Sequence, residues 1–451
     1  MTGNDHNDFQ LSLGQSEAKV AAEAWFKSIQ LENSGQTKPK VYAIGWDSPA
    51  CELELAESKP KPIFRIFGYA GTGKTTIIRS ILSDMKISCS FAAYTGKAAM
   101  VMQKQGLPAR TIHSLIYKPV PPNKRKCDEL MGKIKECSDP KTKRKLWKEL
   151  GEAQKINFEL RTRDDSALGG CDLLVLDECS MVNQEMLDDL LTFKVPIIAL
   201  GDPGQLPPID GSGAIIGEKP DVLLTEIHRQ AKGNPIIDFA TRARNSVMIP
   251  TGDQGTARRI DKSQLTKERA LNCDQILVGK NKTRRKINNY VRQLMGYNKL
   301  SAYPVEGEKL ICLANDRVKN SDGFDVPIYN GMMGTVVKIH DEYDTAIELE
   351  IQFEPIDANY EKPLMVKALR AHFDAYTNEE ALKAVRWWDK KDNQEFDFGY
   401  AITVHKSQGS QWDSVVIYDD GFLVWDRKDR ARWLYTALTR AAEDVTLVDT
   451  K

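Results

Sequence analysis

No stretch of the 451 residues stays apolar long enough to cross a membrane. The longest such runs, Leu173–Leu176 and Val195–Leu200, fall far short of the roughly 18 residues a spanning helix needs. Net charge is absent too. The 63 Lys+Arg balance 63 Asp+Glu, which argues against a chain-wide basic coat and leaves room for local basic grooves. The eight cysteines contain no C-x-x-C pair and no regular spacing. A disulfide framework or structural zinc site is therefore not expected, and a reducing, intracellular and cytoplasmic setting is. The start, Met1–Gln10, is polar and acidic, unlike a secretory leader. There is no internal repeat and no low-complexity tract. What remains, 41% hydrophobic and 28% charged residues, describes a globular chain. By a prior of about 150 residues per domain, its length is about three domains' worth.

The charge balance hides local asymmetry. Lys118–Lys148 holds eleven Lys/Arg against four acids, and Lys280–Arg292 holds six basic residues and no acid, whereas Asp341–Glu361 is acidic. Two separated basic clusters suit a phosphate backbone, whose affinity comes largely from displaced counterions. Taken alone, each reads equally as a solvated helix face.

Apolar periodicity predicts a helix over Gln15–Gln30. Asn33–Pro62 is broken by Gly and Pro, with one strand-like piece at Val41–Ile44. Strands are predicted at Ile63–Phe67, Ser90–Ala93, Asp172–Leu176, Pro196–Leu200, Ile276–Val278 and Val415–Tyr418. The apolar runs among them suit strands buried on both faces of a parallel sheet, and their alternation with helices predicts a doubly wound α/β fold. Asn123–Phe158 is a charged, helix-prone insertion after Pro119, Pro121 and Pro122. Between about Leu300 and Phe398 the pattern turns to short β-like pieces, Lys309–Leu313, Gly334–Ile339 and Ala346–Phe353.

Gly68-Tyr69-Ala70-Gly71-Thr72-Gly73-Lys74-Thr75 matches G-x-x-x-x-G-K-[ST] in full, after a strand and before a helix. Its glycines let backbone N–H groups close around phosphate oxygens, Lys74 can reach the β- and γ-phosphates, and the Thr75 hydroxyl can ligate Mg²⁺. Such a loop needs a metal-holding acid and a base. The strand ending in Asp177-Glu178 offers both, Asp177 for Mg²⁺ and Glu178 for the attacking water. A second apolar strand leads into Gly201-Asp202-Pro203-Gly204-Gln205, where Gln205 is suited to sense a γ-phosphate.

The motifs continue in order: Ala93-Tyr94-Thr95-Gly96-Lys97-Ala98-Ala99, Thr111-Ile112-His113-Ser114, Asp177-Glu178-Cys179-Ser180, Leu224-Thr225-Glu226-Ile227-His228-Arg229, Thr403-Val404-His405-Lys406-Ser407-Gln408-Gly409 and Tyr435-Thr436-Ala437-Leu438-Thr439-Arg440-Ala441. This set resembles superfamily 1 helicases, in particular the RecD/Dda-like branch that moves 5′ to 3′ on single-stranded DNA, with phage Dda-type members nearest in size. The resemblance implies two RecA-like doubly wound parallel-sheet domains with ATP and Mg²⁺ between them. The first would comprise residues 1–116 and 170–215 and the second 216–300 and 396–451. Residues 117–169 would form a helical, basic wedge or pin, and residues 301–395 a β-rich SH3-like module.

It also implies roles for single residues. Gln15, Gly68, Gly71, Thr72, Gly73, Lys74, Thr75, Thr76 and Gly409 would bind nucleotide, with Gln15 reading adenine. Thr75 and Asp177 would hold the metal. Lys74, Glu178, Gln205, Arg229 and Arg440 would carry catalysis, the two arginines reaching the γ-phosphate from the second domain. Thr95, Lys97 and His113 on one side and Thr403, His405 and Lys406 on the other would grip DNA. The expected partners are single-stranded and forked duplex DNA, with replication or recombination proteins, in a bacterial cell or phage-infected host. The competing readings are a translocase that remodels protein–DNA complexes, an RNA helicase and a recruitment subunit with a dead motor. Trp387 and Trp388 are candidates for base stacking.

Overall fold

The structure is a computed structural model. It describes residues 11–34, 61–85, 87–120, 124–153, 157–207, 213–226, 233–299, 301–354, 360, 362–378, 380–385, 389–390, 392–422 and 426–450. Val41–Ile44, Arg229, Trp387 and Trp388 lie outside the described residues.

The strands run in chain order β1 (Ile63–Gly68), β2 (Cys89–Ala93), β3 (Ala109–Thr111), β4 (Tyr117–Val120), β5 (Asn157–Leu160), β6 (Leu173–Asp177), β7 (Ile197–Gly201) and β8 (Val222–Leu224). Then come β9 (Gly252–Asp253), β10 (Ala257–Asp261), β11 (Gln275–Val278), β12 (Lys309–Cys312), β13 (Asp316–Lys319), β14 (Asp325–Ile328), β15 (Met333–Glu342), β16 (Ala346–Phe353), β17 (Leu364–Leu369), β18 (Phe396–Phe398), β19 (Ala401–Thr403), β20 (Trp412–Asp419) and β21 (Ala441–Asp449).

Two parallel sheets form the frame. The first has the order β3-β2-β6-β7-β1-β8 with every pairing parallel. Its strands are apolar on both faces because both faces are covered. Phe64, Ile66, Leu173, Val175, Ile198 and Leu200 meet the helices Leu13–Asn33, Lys74–Asp84 and Gly96–Lys104. Ile63, Phe67, Leu174, Leu176, Ile197 and Ala199 meet Ile112–Ile116 and Gln184–Thr192 on the opposite face. Alternate residues of one strand thus serve two cores, as the two-residue period of a strand requires.

The second sheet runs β19-β11-β20-β21-β10-β9, parallel except for its β9 edge. The helices Pro235–Arg244 and Arg427–Leu438 close one face around Phe239 and Trp433, and Asn281–Leu294 closes the other through Val291.

The two insertions have their own cores. The β4–β5 hairpin carries two helices, Lys124–Glu136 and Pro140–Ala153, which pack together through Leu130, Ile134 and Leu150. Most of the segment's Lys and Arg side chains face solvent around that small core. The second insertion is an antiparallel sheet, β17-β16-β15-β12-β18, with the hairpin β13–β14 beside it.

The topology moves two expected boundaries. Val222–Leu224 pairs with β1, so the first sheet extends past residue 215. Phe396–Phe398 pairs with β12, so the insertion's sheet runs past residue 395. Each strand is only three residues long, too short for its periodicity to reveal its partner.

The basic run Lys280–Arg292 is partly a structural clamp. On the helix Asn281–Leu294, Arg284 pairs with Asp397 at 2.6 Å and Arg292 grips Glu308 with two bonds of 2.7 and 3.0 Å. Asn288 donates to the Phe398 and Ala401 carbonyls and accepts from Ala401 N. These bonds hold the insertion's roots to the second sheet, so this part of the run is not free to follow a nucleic acid.

Arg292 and Glu308 are both fully buried, so removing one partner strands a charge. Glu308→Leu is expected to destabilise the protein by about 3–5 kcal/mol. Chemical denaturation measures this, and a loss below about 1 kcal/mol would show the clamp to be dispensable.

Candidate nucleotide and nucleic-acid sites

The phosphate loop joins β1 to the helix Lys74–Asp84. Gly71 and Gly73 have φ of 79° and 73°, a left-handed backbone that glycine adopts without a Cβ penalty. Gly73 is the N-cap and supplies no side-chain cap, whereas the helices beginning after Thr95, Thr111, Asn183, Asn234 and Asp426 are all capped by side chains. The first-turn N–H groups of this helix thus lack the usual local acceptor, which suits an anion. Lys74 Nζ is held over the loop by the Gly68 and Tyr69 carbonyls at 2.8 and 3.3 Å.

Asp177 ends β6. Burial, with the neighbouring Glu178 charge adding to it, pushes its carboxyl up to about 6, and Lys74 opposes the shift. Asp177 Oδ1 accepts the Glu178 N–H at 2.8 Å. Glu178 itself has φ 52° and ψ 45°, a left-handed conformation that a non-glycine residue adopts at a cost. The buried Ser180 Oγ and Gln205 Oε1 have no partner among the described residues. A half-buried, desolvated acid beside Lys74, with unpaired polar oxygens nearby, fits a divalent cation and ordered water. Among the described residues no cluster of three metal-ligating side chains occurs, so such an ion would draw further ligands from water and phosphate.

Several expected residues are engaged elsewhere. Gln15 is buried: its Oε1 accepts Ser12 N at 3.0 Å and its Nε2 donates to the Thr72 carbonyl at 3.1 Å. Gln15 therefore braces the phosphate loop in this state. Arg440 is buried and binds the Thr436 and Ser410 carbonyls and the Thr439 hydroxyl of its own lobe. Gly409 faces Thr95 Oγ1 and Ala98, each about 3.5 Å from where a side chain would begin, which groups it with the DNA candidates rather than the phosphate loop.

The DNA candidates converge. Thr95, Lys97, His113, His405 and Lys406 line one cavity of about 770 Å³, together with Asn315–Arg317 and Pro327–Gly331 of the β-rich insertion. Both lobes and the insertion thus contribute to a single groove. Thr95 and Thr111 line the groove and accept from Ala98 N and Ser114 N as helix caps; Thr403 does not line it, but its hydroxyl accepts Lys406 N and so caps the turn that carries His405 and Lys406. Lys97 is buried, reaching the Gly331 carbonyl at 3.4 Å and lying over the Trp412 ring. Lys406 donates to the Leu313 carbonyl and to Asn330, and burial lowers its ammonium to about 8. Desolvation also holds His405 below its ordinary value, which favours the neutral ring.

The sequence reading missed an aromatic row on the first lobe's wall. His113 lies 6.2 Å from Tyr94, 5.5 Å from Tyr117 and 6.2 Å from Phe158, measured between ring centroids. Phe158 is 57% exposed at the root of the basic insertion. The alternation of Tyr117 and Phe158 with polar residues in two short pieces is the available signal, but only the β4–β5 register, with Tyr117 opposite Leu160 and Phe158 opposite Pro119, brings the two rings diagonally to 6.4 Å.

A profile of the AAA domain matches residues 54–262, and one of the UvrD-like helicase C-terminal domain matches residues 398–448. The chain is 26% identical over 294 residues to an ATP-dependent RecD2 DNA helicase of Deinococcus radiodurans, covering 60% of this chain and 35% of that protein. It thus spans about a third of that relative's length. It is 22% identical to an uncharacterized protein, R530, of Acanthamoeba polyphaga mimivirus, covering 87% and 96% of the two chains. A crystal structure of Bacteroides Pif1 bound to single-stranded DNA matches with 19% identity over 85% of this chain and 88% of that one, at a TM-score of 0.47. The two profiles, in this order around the motifs above, and the RecD2 likeness make the chain similar to superfamily 1 helicases. Within that superfamily the likeness is to the RecD branch.

The raised Asp177 pKa has a consequence for stability. Its folded value lies above the ordinary 3.8, so the ionised carboxylate destabilises the fold above about pH 6, and the penalty fades as pH falls toward 4. Asp177→Asn is expected to stabilise the nucleotide-free protein at pH 8 by roughly 1–3 kcal/mol, with a gain that shrinks at pH 5. Thermal melts at the two pH values test it, and a gain independent of pH would remove the electrostatic explanation.

Proposed function

We propose that this protein is an ATP-driven DNA helicase that moves 5′ to 3′ along single-stranded DNA and separates duplex ahead of it. The observation that carries the reading is the groove to which Thr95–His113 from one lobe and His405–Gln408 from the other both contribute. A strand lying there touches two bodies at once, so any change in the angle between them becomes movement along the strand.

The chemistry belongs to the first lobe. The phosphate loop and Lys74 hold the triphosphate, and Thr75 and Asp177 would hold Mg²⁺, which offsets phosphate charge when bound. Glu178 orients the attacking water and takes its proton, and Gln205 senses the γ-phosphate. Arg440, with Arg229, supplies positive charge from the second lobe to the equatorial oxygens, where such a group is worth about 10³–10⁵ in rate. For Arg440 this requires exchanging the carbonyls of Thr436 and Ser410 for phosphate oxygens. That exchange makes the arginine dependent on the position of its lobe and ties hydrolysis to domain movement.

DNA contact follows from the groove's composition. Arg161 and Arg317, which line the groove, favour backbone phosphates without reading sequence. The exposed Phe158 ring is suited to stack on a base, and the basic helices beyond it would meet the duplex.

Two sets of measurements test this. Duplexes carrying only a 5′ or only a 3′ tail, with ATP and Mg²⁺, should be unwound only in the 5′-tailed form. Unwinding of 3′-tailed substrate alone would reverse the polarity, and ATPase without any strand separation would leave a translocase. Glu178→Gln should abolish turnover while retaining nucleotide binding, and turnover near the wild-type rate would refute its role. Phe158→Ala should weaken single-stranded DNA binding by about 1–3 kcal/mol, read by fluorescence anisotropy. Unchanged affinity would remove the ring from the DNA path.

A further inference from the structure

Tyr435 lies on the helix Arg427–Leu438 of the second lobe, yet its hydroxyl ends inside the first. It donates to Asp202 Oδ2 at 2.7 Å and accepts the N–H of Ala70, in the phosphate loop, at 2.9 Å. Tyr435 and Asp202 are both almost fully buried, 2% and 1% exposed. Asp202 passes the connection on. Its Oδ1 accepts Gly204 N at 2.9 Å and its carbonyl accepts Gln205 N at 3.1 Å. One hydroxyl therefore joins the loop that holds phosphate to the loop that carries Gln205.

The surroundings fix this geometry. A Cβ on Gly204 would lie 2.8 Å from the Tyr435 ring, so only glycine admits the ring here. The next residue, Thr436, accepts Leu206 N at 3.0 Å, and Gln408 donates to the Leu206 carbonyl at 3.0 Å. Leu206 itself is buried in the second lobe's core cluster. Burial, then the Asp202 charge, raises the Tyr435 pKa, which keeps the phenol protonated as a donor. Two residues past the helix end, Arg440 Nε binds the Thr436 carbonyl. Tyr435 is thus rigidly linked to the arginine proposed to reach the γ-phosphate.

We propose that the Tyr435 hydroxyl is a positioning group that transmits occupancy of the phosphate loop to the Asp202–Gln205 loop and to the helix leading to Arg440. The inference rests on the nucleotide-binding reading above and adds a residue to it. Any rearrangement of the Ala70 amide when phosphates fill the loop alters the bond Tyr435 accepts. The hydroxyl then shifts against Asp202, and with it the amides of Gly204 and Gln205. The aromatic ring supplies packing and the oxygen supplies the coupling, so Tyr435→Phe separates them.

The test is hydrogen exchange with a non-hydrolysable ATP analogue, alongside steady-state ATPase with single-stranded DNA. In the wild type the analogue should change exchange in both Gly68–Thr76 and Gly201–Leu206. In Y435F the first response should persist and most of the second should vanish, with kcat lowered tenfold or more and KM for ATP within twofold. The double variant with Asp202→Asn should be no worse than the more damaging single variant. Equal responses of both segments in wild type and Y435F overturn the proposal. A tenfold rise in KM with unchanged kcat also overturns it, because Tyr435 would then act in binding alone. If the analogue changes neither segment of the wild-type protein, the nucleotide-binding reading itself fails and takes the proposal with it.

Discussion

The arrangement of this molecule depends on one buried polar seam between its two parallel-sheet lobes. The loop after β7 leaves the first lobe and sends Leu206 into the second lobe's core. Around it, Tyr435, Thr436 and Gln408 of the second lobe satisfy Ala70, Asp202 and the Leu206 backbone of the first. Buried polar groups of this kind are costly when unpaired, so the seam cannot open by simple separation. Movement between the lobes must exchange one set of partners for another. That makes it discrete, and a discrete movement is what a phosphate-dependent switch requires.

The groove depends on the same seam at one remove. Thr95 and Lys97 approach from the first lobe and His405 and Lys406 from the second, while the β-rich insertion supplies Gly331 to Lys97 and Asn330 to Lys406. The insertion is in turn clamped to the second sheet through Arg284, Arg292 and Asn288. Its backbone therefore moves with the second lobe and holds a first-lobe lysine, which gives the groove a wall that spans the moving interface. Lys97 and Lys406 spend their charge on protein acceptors in this state. A strand entering the groove competes with those acceptors, and their number limits how strongly a lysine grips.

Much of this was legible in the sequence. The phosphate loop and the acid pair ending β6 need particular residue types at fixed short spacings, and both lie where the strand pattern put them. Strands buried on both faces, such as Leu173–Leu176, also announce themselves, because covered sheets demand continuous apolar runs. Other features are long-range and leave no local trace. The three-residue strands Val222–Leu224 and Phe396–Phe398 acquire their sheets only by pairing with distant β1 and β12. The basic run on Asn281–Leu294 resembles a nucleic-acid surface until Asp397 and Glu308, more than a dozen residues away, are folded against it. Tyr435 was visible within its motif, but a tyrosine beside Thr436 carries no sign that its oxygen will cross into another domain.

The nucleotide site carries unfavourable local terms that point the same way. Glu178 is held in a left-handed backbone, Asp177 is desolvated beside it, and Gln205 Oε1 and Ser180 Oγ are buried without partners among the described residues. Each feature costs folding free energy, of order 1–3 kcal/mol for the backbone and a similar amount for an unpaired buried oxygen. They cluster around one phosphate loop whose helix start lacks a side-chain cap. An anion bearing a divalent cation would relieve several of them together: it would give the helix N–H groups an acceptor, Asp177 a counter-charge and the loop oxygens a hydrated ligand. The strain therefore favours the ligand-bound site over the empty one. The seam then carries that preference from the phosphate loop to Asp202 and on to the lobe that bears Arg440.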